Sequence, residues 1–342
     1  GNAGQFTELA MRIFPLVQAD LTVHGEYVTS APALQSDNAN GAWGTILSEI
    51  NTLRVTEGSS EHYYGVVSPE YNSGIAGMGY VGWPAAVGWD FLPSGSSIAA
   101  HEWGHNWNLG HAPGCGAGNP DPAYPYADGK IGVWGLDATA GTLKAPTVFY
   151  DIMSYCGPEW ISDFSYQAVL SYRQTSPAQG VHTPAETRLK EPSLVVWGRV
   201  EDGGLVLEPA FEVVTVPALP PGGGDHVLEG LDENGEALFT LAFQPLPVPD
   251  AGAGQGHFAF AVPVRGFDEQ RLAGLRLSGG GYGPVAREVP PDPALPIAPE
   301  PVATAVGARG VEITWDPALH PLALIRDPAT GQVLSLARGG RI

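Results

Sequence analysis

A polar, Pro-containing stretch at residues 176–192 divides this chain into two halves that are built differently. Beyond it the sequence runs as short β-rich segments between turn residues: SLVVWGRV, GLVLEP, EVVTV, HVLEGL, ALFTLAF, HFAFAVPV and LAGLRLSG. That pattern predicts an all-β sandwich over residues 193–289. A second Pro-rich break, Pro290 to Pro301, precedes VEITW, PLALIRD and QVLSLAR. The short β-rich segment 290–342 is smaller than a usual sandwich of ~100 residues. It is expected to pack on the preceding domain or to be cut from a larger one.

Residues 1–175 mix helix and strand signals. Arg12 to His24 has strand composition, and Tyr63 to Ser68 reads as a second strand. Trp43, Ile46, Leu47, Ile50 and Leu53 recur at helical spacing. Tyr80 to Asp90, interrupted by Gly and Pro, suits a sheet edge. Ser96 or Ser97 can cap a helix beginning near Ile98, and Phe164 to Arg173 reads as a short helix.

Charge narrows the partners. The chain carries 16 basic and 36 acidic residues, a net charge of −20. Such a field repels nucleic acid and anionic membrane surfaces, so neither is expected to bind. The longest charge-free apolar stretch, Gly74 to Trp89, is broken by glycines and Pro84, whereas a membrane span needs ~20 apolar residues. The opening Gly-Asn-Ala-Gly lacks the basic and apolar regions of a signal peptide and reads as a mature product. Cys115 and Cys156 are enough for one bridge.

The chemistry is concentrated in His101-Glu-Trp-Gly-His105-Asn-Trp-Asn-Leu-Gly-His111. On a helix His101 and His105 lie ~40° apart and one turn above each other, so both imidazoles can reach one Zn²⁺. Glu102 lies ~100° round from His101, beside the metal but less directed at it, which suits a proton acceptor for water. A continued helix would carry His111 ~240° away from His105. Its participation requires the helix to stop, and Asn108 and Gly110 supply the breakers. Trp103 and Trp107 face the other way and read as packing, and Gly104 leaves room for a close neighbour. Alone, His-Glu-x-x-His is also the pattern of an ordinary helix with polar surface groups. A structural zinc is a further reading, although such sites are usually four-coordinate and cysteine-rich.

His101-Glu-x-x-His105-x-x-Asn-x-x-His111 resembles the extended zinc signature of the metzincin metalloproteases, with Asn108 where that signature usually has Gly. Asp151-Ile-Met153-Ser-Tyr155-Cys156 is similar to the methionine turn of the same clan. The resemblance covers roughly residues 12–175. It implies His101, His105 and His111 as zinc ligands, Glu102 as general base and acid, and Met153 as the floor beneath them. It implies for Tyr155 either oxyanion stabilisation or simple packing on the turn. It also brings Cys115 and Cys156 together as a disulfide between the His111 loop and the methionine turn. Residues 80–86 would be the edge strand that pairs with an extended substrate. Trp160 would line the pocket beside the scissile bond or lie in the core. YYGVV, YNSGIAGMGYVG, HAPGC and YPYADGKIGVWG look like stretches of large secreted bacterial metalloproteases with appended β modules.

The fold class expected is therefore an α/β metzincin-like catalytic domain with mixed sheet, zinc helix and methionine turn, followed by all-β sandwich-like domains. The function expected is a secreted, monomeric zinc endopeptidase acting on a protein or glycoprotein substrate. Alternatives are an adhesin-like binding protein whose zinc site is vestigial or structural, and a protease restricted to mucin-type glycoproteins. Asp121 and Asp128 in NPDPAYPYADG form a weak candidate for Ca²⁺, for which turn chemistry is the cheaper explanation.

Overall fold

A computed structural model describes residues 2–175, 189–201, 203–248, 255–267, 271–289, 302–306 and 310–342. Most of the expected linker, and the whole of the second Pro-rich break, lie outside the described residues.

The first regular element is a helix that ends two residues into the stretch expected as a strand. Phe6, Ala10 and Ile13 recur at helical spacing and are buried on one face of α1 (Ala3–Ile13). Pro15 disfavours the helical region for Phe14, which is extended at φ −89° and ψ 158°, so the helix ends there. Residues 14–35 then contain neither helix nor strand. The apolar run RIFPLV is thus shared between a helix end and a loop.

After α2 (Ala42–Glu57) come β1 (Tyr63–Val67), β2 (Gly77–Gly79) and β3 (Ala85–Trp89), which form a sheet in the order β1-β3-β2. β3 runs parallel to β1 and antiparallel to β2. The stretch expected at the edge therefore holds the central strand, and β2 is the edge. Helix α3 (Ser94–Asn106) follows, starting before Ser96 and Ser97 and without a side-chain cap. Ser96 instead accepts the Leu9 N–H, and Ser97 donates to Glu159. Two short pairs, β4 (Gly135–Asp137) with β5 (Thr142–Lys144) and β6 (Tyr150–Asp151) with β7 (Glu159–Trp160), lead to α4 (Asp163–Thr175).

Every β-rich run read from the second half forms a strand: β8 (Glu191–Glu201), β9 (Gly204–Leu207), β10 (Phe211–Thr215), β11 (His226–Leu231), β12 (Ala237–Phe243), β14 (Gly256–Pro263) and β15 (Gly274–Gly279). With β13 (Leu246–Pro247) and β16 (Tyr282–Glu288) they make a five-stranded sheet, β10-β8-β14-β13 with β9 on β8, and a four-stranded sheet, β12-β11-β15-β16. Leu194, Val196 and Phe258 of the first share an apolar cluster with Leu228, Leu275 and Leu277 of the second. The hairpins β17 (Val302–Val306) with β18 (Gly310–Thr314) and β19 (Leu322–Arg326) with β20 (Val333–Arg338) complete the chain.

These observations correct the expected fold class. Among the described residues the chain is mostly β and only weakly mixed, 33% strand with four short helices and several small sheets. It is not an α/β metzincin domain followed by a sandwich. The strand expected over Arg12–His24 is the last two residues of α1 followed by loop, and the first sheet has three strands, one of them three residues long. The second reason is that the halves are not laid out one after the other, because α2 belongs to both.

Helix α2 is buried on every side. Trp43, Ile46, Leu47 and Ile50 pack with Met78, Ala85 and Val87 of the first sheet. Val55 packs with Val195, Trp197, Ala259 and Ala261 of the five-stranded sheet. Leu53 packs with Val333 and Leu336 of β20. The last hairpin therefore rests largely on the first half rather than only on the preceding strands. At the helix end Gly58 has φ +70°, and a Cβ there would stand 2.9 Å from both Thr215 Oγ1 and Val216 N. Glycine alone allows both the turn and the close approach of β10.

The polar groups on this buried helix are paired. Glu49 accepts from Thr29 Oγ1 at 2.6 Å and from Arg338 Nη2 at 3.0 Å. Arg338 also pairs with Glu208 at 2.7 Å and lies over the Trp197 ring. Tyr80 and His257, 177 positions apart, meet at 2.7 Å between hydroxyl and Nδ1. Among the described residues, no helix is long and apolar enough to cross a membrane.

Two outcomes follow. Arg338→Met strands the buried Glu49 carboxylate and is expected to cost about 3 kcal/mol, read as a lower urea midpoint at unchanged slope. Burial, reinforced by Arg199, holds the His257 imidazole down at about 3 against an ordinary 6.5. Below pH 6.5 the unfolded chain takes up a proton that the folded chain refuses. This group's contribution is thus complete above that pH and falls by about 1.4 kcal/mol per unit towards pH 3. Unfolding free energies measured from pH 7 to 4 should lose that increment of slope in His257→Gln.

Candidate metal centre

The three motif histidines meet because of how α3 ends. Asn108 has φ +69°, and Gly110 is not at positive φ. Asn108 N–H donates to His105 O at 2.8 Å and Leu109 N–H to Gly104 O at 3.0 Å. That pair of bonds is the Schellman turn, and asparagine tolerates the left-handed conformation it needs. The chain reverses and His111 returns towards His101 and His105.

Each imidazole is held from behind by a backbone carbonyl. Nδ1 of His101 bonds Ile152 O at 2.8 Å, that of His105 bonds Leu109 O at 2.8 Å, and that of His111 bonds Gly118 O at 2.5 Å. A carbonyl only accepts, so each Nδ1 carries the proton and each Nε2 presents a lone pair. One ligand atom from each residue lies within 4.8 Å of the others, and all three residues are buried. Nε2 of His105 and Nε2 of His111 are 3.2 Å apart. Two lone pairs at that distance repel unless a cation lies between them. Tetrahedral bonds of 2.0–2.1 Å would separate their nitrogens by about 3.3–3.4 Å. The donor set can therefore hold a metal ion and is compatible with zinc.

The other expected site residues surround this cluster. Glu102 is buried, and its carboxylate lies against β2: a Cβ on Gly77 would stand 2.5 Å from Oε1, and one on Gly79 would stand 3.0 Å from Oε2. Glycines two apart lie on one face of a strand and here leave the space that the carboxylate fills. Tyr155 is 49% exposed, with its hydroxyl 3.4 Å from His111 Nε2 and its ring 5.9 Å from that of His101. It faces the cluster and solvent at once, rather than packing into the turn. Met153 is fully buried beneath the helix, where a Cβ on Gly104 would stand 2.3 Å from its sulfur. Trp107 is in the core behind, with Trp103 packed against it.

Cys115 and Cys156 form a disulfide, and Ala112 N–H donates to Met153 O at 3.0 Å. The third ligand's loop is thus tied to the methionine turn twice. Trp160 is 4% exposed and lies in the core, not in a pocket wall. Residues 80–86 are the turn between β2 and β3 together with the start of β3, the central strand, and the outer strand Gly77–Gly79 is itself buried. Asp121 and Asp128 each accept the N–H two residues on, at 2.9 and 3.1 Å, which is turn chemistry; the histidines are the one three-residue metal-ligating cluster found among the described residues.

Three contributors escaped the sequence reading. The buried Asp151 accepts Met153 N–H and Ser162 N–H, each at 2.8 Å, and so shapes the turn whose Ile152 carbonyl orients His101. Burial, and then the Glu102 charge, raise the Tyr64 phenol well above its usual range, which places that ring near the Glu102 carboxylate. Gly77 and Gly79 form the cradle. The Gly-Met-Gly spacing before the zinc-motif helix was the only signal for them.

No protein-family model matches this chain, and no curated protein matches it. The site is therefore argued from its own geometry. Titration of the metal-stripped protein with Zn²⁺ should give one ion per chain, and His111→Ala should weaken that binding by more than about 100-fold.

Proposed function

We propose that this chain is a zinc-dependent endopeptidase, exported from the cell that makes it. The observation that carries the reading is the convergence of three oriented Nε2 atoms beside one buried carboxylate and one exposed phenol. The similarity of the histidine and methionine segments to the metzincin signatures supports it. The disulfide supports export, since such bonds persist in oxidising surroundings.

A divalent ion held by His101, His105 and His111 would supply Lewis-acid polarisation of water and of a carbonyl. The protein's own groups do the rest. Glu102, shielded between α3 and β2, accepts a proton from the attacking water on its carboxylate and returns it to the leaving amine. Tyr155 points its hydroxyl at the same space and donates to the oxygen on which negative charge develops. No covalent intermediate is needed.

The test is a mass-spectrometric digest of a complex peptide library by zinc-loaded wild type and zinc-loaded Glu102→Gln. New termini are expected with wild type alone, at a rate at least about 100-fold above the variant. Retention of zinc by both proteins with cleavage by neither would overturn the general endopeptidase and leave a binding protein or a glycoprotein-restricted enzyme.

A further inference from the structure

The segment that follows the third ligand is held to the protein at few points. His111 O accepts Asp121 N–H at 2.8 Å, which closes the residues between them into a loop. At its base Ala112 N–H donates to Met153 O at 3.0 Å. Among the described residues, the hydrogen bonds of residues 113–118 stay inside this loop, from Ala117 N–H to Gly114 O at 3.1 Å, or return from Gly118 O to His111. The second tie to the methionine turn is the covalent one, between Cys115 and Cys156. It stands beside the groups that aim two ligands. The Gly118 carbonyl, which orients His111, comes three residues after Cys115, and the Ile152 carbonyl, which orients His101, four residues before Cys156.

The backbone at Cys115 is not at rest in its own preferred conformation. It has φ +49°, between Gly114 at +122° and Gly116 at +84°. Glycine adopts that region freely, whereas a residue with a Cβ seldom does. A Cβ on Gly114 would stand 3.0 Å from Cys156 Sγ, while one on Gly116 would meet nothing within 4 Å. The loop thus touches the turn on one side of the bond and lies open on the other. Released from Cys156, it has a glycine on either side at which to swing away.

The two cysteines differ in access. Cys115 is exposed, and Cys156 is only 7% exposed. A small thiol therefore enters at Cys115. Its thiolate attacks Cys115 Sγ and forms a mixed disulfide there, and the electron pair of the broken S–S bond leaves on Cys156 Sγ, which takes up a proton. A second thiolate attacks the added sulfur of the mixed disulfide, and Cys115 departs as a thiol. Two small thiols have then become one small disulfide, and their two electrons have reduced the protein's bond.

We propose that Cys115 is a thiol-exchange site and that its bond to Cys156 is a redox latch on the metal centre. Closed, the latch presents His111 for binding; opened by a small thiol, it lets the ligand loop move off and weakens the hold on the ion. A chain in reducing surroundings thus binds metal poorly and completes its centre on reaching oxidising ones. This needs the histidines to hold an ion and does not need the protein to cleave peptides.

The first test measures Zn²⁺ affinity by chelator competition for the oxidised wild type and for Cys115→Ser/Cys156→Ser. The open variant is expected to bind at least about tenfold more weakly. His111→Ala, made in both backgrounds, separates a latch on this ligand from general loosening: its penalty should be at least about tenfold smaller in the open protein. Equal affinities, or an undiminished His111 penalty, would overturn the latch. The second test uses the wild type alone, and so holds even if the serine pair fails to fold. The protein is equilibrated in glutathione buffers of graded ratio with and without saturating Zn²⁺, and the closed fraction is read by acid quench, alkylation and mass spectrometry. The two equilibria share one cycle, so Zn²⁺ should move the midpoint towards the closed form by the same factor, about tenfold or more. An unmoved midpoint, or one moved towards the open form because the freed thiols take the ion, would overturn the latch. The mixed disulfide with glutathione should be found on Cys115, and finding it on Cys156 alone would overturn the exchange site. A working latch with no peptide cleaved would remove the endopeptidase reading and leave this one standing.

Discussion

One helix without a solvent face holds this protein together. Trp43, Ile50, Leu53 and Val55 point in different directions from α2, and each enters a different apolar cluster. A helix buried all round cannot leave its polar residues unpaired. Arg338, near the far end of the chain, supplies the charge that Glu49 needs. The metal centre depends on the same packing. Helix α3 carries the ligands and lies against β2 and β3, and that sheet is supported in turn by α2. The half that carries the three histidines is thus half of a structure in packing as well as in length.

Within the centre, orientation comes from the backbone. The carbonyls of Leu109, Gly118 and Ile152 aim the three imidazoles, and what puts those carbonyls in place is a helix end, a loop and a turn. A side chain at any of the three positions can change without altering the hydrogen bond. A change in the local turn cannot. The charges that matter are few and enclosed: Glu102 against glycine backbone, and Asp151 taking two N–H groups to hold the methionine turn.

Much of this was legible in the residues because the signals were local. The four-residue spacing of His101 and His105, the breaker at Asn108 and the alternating runs of the second half all describe neighbours along the chain. What was not legible was long-range. Arg12 to His24 has the composition of a strand, but Pro15 ends a helix inside it and only packing on α3 makes that helix worthwhile. The spacing of Trp43 to Leu53 revealed one face of α2, and no local pattern announced that Val55 would meet a sheet begun some 140 positions later. Nothing in the residues around His257 announces the Tyr80 hydroxyl that it meets. The fold class failed for the same reason: each element was read alone, and the halves are joined by residues that sequence distance keeps apart.

The turn at Asn108 ties two processes that are usually treated separately. The peptide that caps α3 through Leu109 N–H is followed by the carbonyl that fixes His105. An ion held by His105 and His111 would therefore pull on the capping residue from its far side. Fraying of the last turn would release a ligand, and occupancy of the ligands would suppress fraying; by linkage the two effects would be equal in size. The helix terminus is in this sense part of the binding equilibrium, and the affinity of the centre includes the free energy of closing one turn of backbone.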